Sequence, residues 1–224
     1  MCAVTTRSAV ATPATHATAG APGTPTHDRK RVGIVVGSLR KNSFSLAIAN
    51  AILELFNQAS QASQGSQDDN ADIDAELVYL DDLPLYNQDF DDPGPLPKSY
   101  TAFRERMRSL DAFVFVTPEY NRSMPAVLKN ALDVGSRPAG QSIWATKPCG
   151  IISSSPGPVG GFGANQHLKQ TLGFLDFRIM QQPEMYLGKI TESVDEDGAI
   201  TERTKSFLHK FTTSFAVWIR SFRL

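Results

Sequence analysis

Short apolar runs of strand type alternate with segments of helical periodicity along most of this chain, and this alternation constrains its fold more than any other feature. The run VGIVV at residues 32–36 precedes residues 45–56, where apolar side chains recur at helical spacing. Further strands are predicted at residues 76–80, 112–116, 149–152 and 178–186, and further helices at residues 100–110, 125–134, 165–175 and 204–221. Because parallel strands need crossover helices, the alternation predicts an α/β fold with helices on both faces of a five-stranded parallel sheet.

The last of these helices carries an apolar stripe that we expect to pack in the core, formed by Phe207, Phe211, Phe215, Val217, Trp218 and Phe222.

Two segments fall outside the alternation. Residues 1–27 contain no Leu, Ile, Phe, Tyr or Trp, so residues 1–30 are interpreted as a disordered tail and residues 31–224 as the folded domain. Arg7 and the scarcity of acidic residues leave an organelle transit peptide as an alternative. The second segment, at residues 57–72, is rich in Gln and Ser and is predicted to be a surface-loop insertion.

The charge balance and the cysteines exclude several classes of protein. The chain has 22 Lys and Arg against 23 Asp and Glu, a net charge of −1, and this balance offers no basic footprint for nucleic acid. Its apolar runs are too short to cross a membrane. Cys2 and Cys149 cannot form a disulfide framework or a metal site, so we expect no metal and a cytoplasmic location, with Cys149 buried in its strand.

The loop after the first strand has the composition of a phosphate site. Residues 37–45, GSLRKNSFS, lead into a helix N-terminus, where backbone N–H groups and the helix dipole favour an anion. Arg40 can bind phosphate oxygens in a fork, and the small polar side chains are Ser38, Asn42, Ser43 and Ser45. An ordinary loop, capped by Ser43 or Ser45 with Arg40 in solvent, is the alternative.

Two more loops follow the third and fourth strands. Residues 117–125, TPEYNRSMP, form a stiff turn between prolines that offers backbone groups and an aromatic side chain to a planar heterocycle. Residues 153–163, SSSPGPVGGFG, are rich in glycine, which lets the backbone approach a ligand closely. A packed Tyr120 and a flexible connector are the respective alternatives. Ligands of parallel sheets lie at the carboxyl ends of the strands, so the three loops together predict a mononucleotide pocket.

These segments resemble the signature regions of the NADPH-dependent FMN reductase family, in its branch of quinone, azo and chromate reductases. The resemblance rests on GSLRKNSFS, on TPEYNRSMPAVLKNALD and on SSSPGPVGGFGANQHL, and it extends from about residue 31 to the end. It implies a flavodoxin-like three-layer sandwich that binds FMN non-covalently and takes electrons from NADPH or NADH. The acceptors implied are quinones or similar compounds, including azo dyes, chromate and free flavin, reached by a ping-pong mechanism.

The resemblance also assigns residues. Contacts to the phosphate are expected from Ser38, Arg40, Asn42, Ser43 and Ser45. The flavin ring is expected to be lined by Pro118, Glu119, Tyr120 and Asn121, and its other edge to be closed by Ser154 and the backbone of Pro156 and Gly157. Arg122 departs from the family pattern, which often has an aromatic residue there. We interpret it, with Gly160 and Gly161, as part of the substrate pocket, and a solvated arginine or one that pairs with a partner subunit is the alternative. No side chain is expected to act as general acid or base, and His167 is expected to pack or hydrogen-bond within its helix.

Two other classes of function remain open. A flavodoxin-like electron carrier would use the same pocket, although such carriers are usually strongly acidic. A scaffold protein that has lost its flavin is a second alternative, against which the intact loops argue. Relatives in the family assemble as dimers or tetramers, so a homodimer or homotetramer is expected.

Overall fold

The computed structural model describes residues 29–62, 73–91 and 94–222 of the 224-residue chain. The strands are β1 (Lys30–Val36), β2 (Ile73–Val78), β3 (Ala112–Pro118), β4 (Pro148–Ser154), β5 (Arg178–Ile179) and β6 (Met185–Leu187). The helices are α1 (Phe44–Ala62), α2 (Lys98–Arg108), α3 (Ala126–Gly135), α4 (Phe162–Phe174) and α5 (Glu202–Arg220). Two short 3-10 helices occupy Gln88–Phe90 and Ile190–Ser193. Most of the predicted low-complexity tail and residues 63–72 of the predicted insertion lie outside the described residues.

The strands form one parallel sheet in the order β2-β1-β3-β4-β5, with β6 also paired to β4. This order reverses between β1 and β3, as in doubly wound flavodoxin-like folds, and such a reversal opens a crevice at the carboxyl ends of the strands. The predicted α/β class and parallel sheet are confirmed. Among the described residues, no helix is long and apolar enough to cross a membrane.

Alternating side chains of the central strands fill two cores. Ile34 of β1 and Val114 of β3 are fully buried beneath α1 and α5, whereas Val35 and Phe115 point to the opposite face and pack beneath α2, α3 and α4. Both faces of the sheet are therefore covered, which gives the three-layer sandwich that the sequence predicts. Cys149 is fully buried in the second core, and burial raises the pKa of its thiol well above the usual value.

Two predicted boundaries are wrong. The strand expected at residues 178–186 is two short strands, β5 and β6, which pair with different parts of β4. Pro183 lies between them and has no N–H for the ladder, so a continuous strand is interrupted there. Residues 57–62 of the predicted loop continue α1, because Gln and Ala are good helix formers and Ala59 is buried on the inner face of this last stretch.

The apolar stripe predicted for α5 is also partly wrong. Phe211 and Phe215 are buried, but Phe207 is 45% exposed and Val217 is 52% exposed. With 3.6 residues per turn, steps of four residues drift around the helix, so Phe207 leaves the face that Phe215 occupies. The buried face is completed by Leu208, Thr212, Ala216 and Ile219. Trp218 and Phe222 are only partly buried.

Candidate active site

A cleft of about 180 Å³ lies at the carboxyl edge of the sheet, where the loops after β1, β3 and β4 meet. It is lined by Ser38, Arg40, Ser43, Phe44, Ser45, Pro118, Glu119, Tyr120, Ser154, Ser155, Pro156 and Ile190. Three segments that are far apart in sequence therefore come together as predicted. Asn42, Asn121, Arg122, Gly157, Gly160 and Gly161 are not part of this lining.

The loop between β1 and α1 passes directly over the end of β3. The Gly37 N–H donates to the Val116 carbonyl at 2.8 Å, and a Cβ at Gly37 would lie 2.7 Å from that oxygen. Only glycine permits this approach. Ser43 then caps α1, since the Leu46 N–H donates to Ser43 Oγ at 3.1 Å. Ser43 therefore both caps α1, as the alternative interpretation of this loop expects, and lines the cleft.

Two polar groups of this loop lack partners in the part of the chain that the structure describes. Ser45 is 1% exposed, and its Oγ is buried without a hydrogen bond. The exposed Arg40 guanidinium has no carboxylate or carbonyl partner among those residues. A buried hydroxyl without a partner is unfavourable unless a ligand supplies one. At a helix N-terminus beside a free arginine, the ligand that fits this donor set is a phosphate.

Asn42 lies on the far side of the same loop. It is exposed and borders a neighbouring pocket that also contains Glu196 and Asp197. Lys41 also lines that pocket, so with the two carboxylates the pocket offers no net positive charge to attract a phosphate. The assignment of Asn42 to the cofactor is thus the weakest of the five assignments in this loop.

The segment after β3 is a tight two-residue turn. Tyr120 and Ser123 exchange N–H to carbonyl hydrogen bonds of 2.9 Å in both directions. The two central residues are left-handed, with φ of 51° at Asn121 and 64° at Arg122. Asn tolerates this conformation, whereas an arginine there is strained, and such strain concentrates at functional sites. The turn leaves Tyr120 at the cleft, 47% exposed, and directs Asn121 and Arg122 to solvent.

The Glu119 carboxylate connects this turn to the glycine-rich loop. Its Oε2 accepts the N–H of Ala164 in the first turn of α4 at 3.0 Å, and its Oε1 lies 3.4 Å from the Arg122 guanidinium. A Cβ at Gly163 would lie 2.9 Å from Oε2 and 3.0 Å from the Arg122 carbonyl oxygen, so a larger residue there would force this contact to shift. Glu119 therefore acts as the cap of α4, whose own N-cap residue is a glycine.

Gly160 and Gly161 are buried in the loop before α4. They have φ of 66° and 74°, and a Cβ at Gly160 would lie 2.6 Å from the Tyr186 carbonyl carbon. Ser153 Oγ donates to the Gly160 carbonyl at 2.8 Å. These glycines hold the loop against β4 and β6 and do not line the cleft, so the structure supports a packing role rather than the assignment to a substrate pocket.

The sequence interpretation omitted three residues that line the cleft, Phe44, Ser155 and Ile190. The first two lie within the motifs of the resemblance, so their position could have indicated them. Pro156, whose backbone is expected to close the edge of the flavin, is part of the lining. Ile190 lies in the 3-10 helix that follows β6, and its neighbours ITES carry no motif. His167, expected to pack or hydrogen-bond rather than to catalyse, makes a 2.7 Å contact through Nδ1 with Ser123 Oγ, which links α4 to the turn after β3.

Sequence comparisons find similar proteins over most of this chain. A family model described as NADPH-dependent FMN reductase matches residues 30–192. The chain is 44% identical over 189 residues to a quinone reductase of Pseudomonas putida, across 84% of this chain and 94% of that protein. It is 40% identical to a 2-hydroxy-1,4-benzoquinone reductase of a Burkholderia species, across 87% of this chain and 98% of that protein.

Solved structures of similar fold are also found. The flavoenzyme NAD(P)H:(acceptor) oxidoreductase FerB from Paracoccus denitrificans is 34% identical, with a TM-score of 0.70 across 86% of this chain and 98% of that one. A WrbA-like flavodoxin protein from Agrobacterium tumefaciens is 14% identical with a TM-score of 0.55, and it shares the fold.

Proposed function

The chain belongs to the NADPH-dependent FMN reductase family, and from that premise we propose that it carries two electrons from NAD(P)H through FMN to quinones by a ping-pong mechanism. The observation that best supports FMN binding is the pair of unpartnered groups at the start of α1, Ser45 Oγ and the Arg40 guanidinium. The relatives named as quinone reductases support the acceptor class.

The residues around the cleft divide into two groups. Ser38, Arg40 and Ser45 would hold the phosphate of FMN, with the dipole of α1 adding to the attraction. Pro118, Tyr120 and Ser154 would border its ring system. When bound, FMN supplies the redox chemistry, accepting a hydride and releasing two electrons.

The ionisable side chains of the lining have roles other than proton transfer. Arg40 belongs to the phosphate loop, and both oxygens of Glu119 are engaged, one by the Ala164 N–H and one by Arg122. Tyr120 remains at the rim as a surface for stacking. This supports a site that binds and orients its substrates without a general acid or base on the protein. NAD(P)H and the acceptor would bind one after the other at this same rim, and this shared place is the basis of the ping-pong proposal.

Two measurements test this proposal. Arg40→Gln should weaken FMN binding about tenfold or more, because a charge-assisted hydrogen bond to phosphate is lost. Lys98→Gln removes the same charge from an exposed position on α2 and should leave FMN binding unchanged. With NADPH and a quinone varied, double-reciprocal plots should be parallel, and intersecting lines would contradict the shared site.

A flavodoxin-like electron carrier is the second candidate. It would bind FMN equally well but oxidise NADPH only slowly in the absence of a protein partner. The net charge of −1 gives little of the acidic surface that such carriers use for docking. Rapid turnover of NADPH with a soluble quinone separates the two candidates.

We further propose that residues 31–224 form one domain that works as a homodimer or homotetramer in the cytoplasm. Large apolar side chains on the surface support self-association, among them Tyr79, Leu85 and Phe174, which are 53%, 76% and 89% exposed. Sedimentation equilibrium measures the assembly, and a monomer at micromolar concentration would contradict it.

A further inference from the structure

A second cleft, of about 530 Å³, opens beside the active site and is not used by the proposed chemistry. It lies between β6, the 3-10 helix that follows β6, and the first turns of α5. We call it the basic cleft, and define it by Tyr186, Leu187, Lys189, Arg203, Phe207 and Lys210. Its volume is within the range of small-molecule sites, about 300 to 1,000 Å³.

The basic cleft and the active-site cleft share one wall, residues 187–190. Leu187 and Lys189 line the basic cleft, whereas Ile190 lines the active-site cleft. Backbone hydrogen bonds fix this wall to the loop after β4. The Ser155 N–H donates to Leu187 at 3.1 Å, and the Lys189 N–H donates to Gly157 at 2.9 Å. The two clefts are therefore neighbours, separated by this one segment of chain.

One face of α5 supplies the chemistry of the basic cleft. Arg203, Phe207 and Lys210 recur at the spacing i, i+4 and i+7, so they lie on one side of the helix. Phe207 is 45% exposed, although the sequence pattern assigned it to the core. Lys210 Nζ lies 5.9 Å from the centre of its ring. An exposed aromatic ring flanked by two cations is a surface that suits a planar anionic ligand.

The positive charge of this face is not neutralised within the part of the chain that the structure describes. The cleft contains two carboxylates, and both have other partners. Glu184 pairs with Lys169 at 2.6 Å, and Glu192 lies 3.7 Å from Lys189. Arg203 and Lys210 have no carboxylate partner among the described residues. The pair is therefore free to bind a dianionic group such as a phosphate monoester.

We propose that the basic cleft binds the phosphoadenosine end of NADPH, with Arg203 and Lys210 on the 2′-phosphate and the adenine against Phe207. This inference rests on the proposed function, because it assumes that the nicotinamide end enters the active-site cleft. On this proposal, Arg203 and Lys210 of α5 determine the preference of the protein for NADPH over NADH. NADH lacks the 2′-phosphate and loses the contact with both cations.

The direct test is a binding titration that requires no turnover. The FMN-loaded protein is titrated by calorimetry with adenosine 2′,5′-bisphosphate and with adenosine 5′-monophosphate. The first should bind at least about tenfold more tightly, because it alone carries the 2′-phosphate. The double variant Arg203→Gln/Lys210→Gln should lose this difference, while Lys98→Gln/Arg108→Gln, which removes the same charge from exposed positions on α2, should keep it.

Kinetics provide the second readout. In the Arg203→Gln/Lys210→Gln variant, the ratio of kcat/KM for NADPH to that for NADH should fall about tenfold or more. Phe207→Ala should lower kcat/KM for both donors. Unchanged binding of the bisphosphate and an unchanged ratio in the double variant would overturn the inference. If the titration gives the expected result but NADPH does not reduce the protein, the proposed function fails and the binding site stands.

Discussion

Replacement of Glu119 tests whether this carboxylate is a structural cap rather than a contact to the cofactor. Glu119→Ala removes the 3.0 Å hydrogen bond to the Ala164 N–H and leaves the first turn of α4 without a side-chain cap. Loss of a cap lowers the free energy of unfolding by about 0.5–2 kcal/mol, and loss of a negative charge at a helix N-terminus by a further 0.3–1 kcal/mol or so. The Arg122 pair adds little, since that guanidinium is 78% exposed.

We therefore expect Glu119→Ala to lower the free energy of unfolding by about 1–3 kcal/mol, or the Tm by roughly 2–12 °C for a chain of this size. Glu119→Gln keeps an acceptor for Ala164 and loses only the charge, so it should cost less than half as much. Urea and thermal unfolding of the protein without FMN measure both effects. Equal losses in the two variants, or no loss in either, would refute the capping role.

Three further predictions concern other contacts. Asn130 is 6% exposed and joins α3 to the loop after β2: its side chain accepts the Tyr86 N–H at 2.7 Å and donates to the Pro84 carbonyl at 2.9 Å. Asn130→Leu should therefore lower the free energy of unfolding, measured by urea titration, by about 2–4 kcal/mol. A loss below about 1 kcal/mol would contradict this role. Lys147 Nζ donates to the carbonyls of Met107 and Arg108 at 2.8 and 3.0 Å, and burial lowers its pKa to about 8 from 10.5. Between pH 8 and 10.5 Lys147 is more protonated in the unfolded chain than in the folded one, so the free energy of unfolding of the wild type should rise with pH relative to that of Lys147→Met. A difference between the two proteins that stays constant with pH would contradict this. Gly160→Ala should destabilise the loop before α4, because φ is 66° and Tyr186 blocks the Cβ, and an unchanged Tm would be the contrary result.

The sequence predicts the parts of this molecule that depend on neighbouring residues. β1 and β3 are continuous apolar runs because both of their faces are buried, and that pattern is visible without a structure. The loop after β1 is recognisable because small polar residues are concentrated in one short segment before a helix N-terminus, and this loop does line the cleft. Both features are local in sequence.

Contacts between distant segments could not be predicted in the same way. Glu119 caps a helix that begins more than forty residues later, and nothing near Glu119 indicates that its partner is Ala164. Phe207 fits the apolar spacing of α5, and only the direction in which the helix packs shows that its ring is exposed. The basic cleft is likewise formed by segments that meet only in the folded chain, β6 with its following 3-10 helix and α5.

The central claim, that this chain is an FMN-dependent NAD(P)H oxidoreductase, is tested most directly by the visible absorption spectrum of the purified protein. We expect the bands of oxidised flavin, their loss within seconds of adding NADPH under argon, and their return on adding a quinone. A colourless protein that does not take up FMN, or a flavin that NADPH leaves oxidised, would contradict the account.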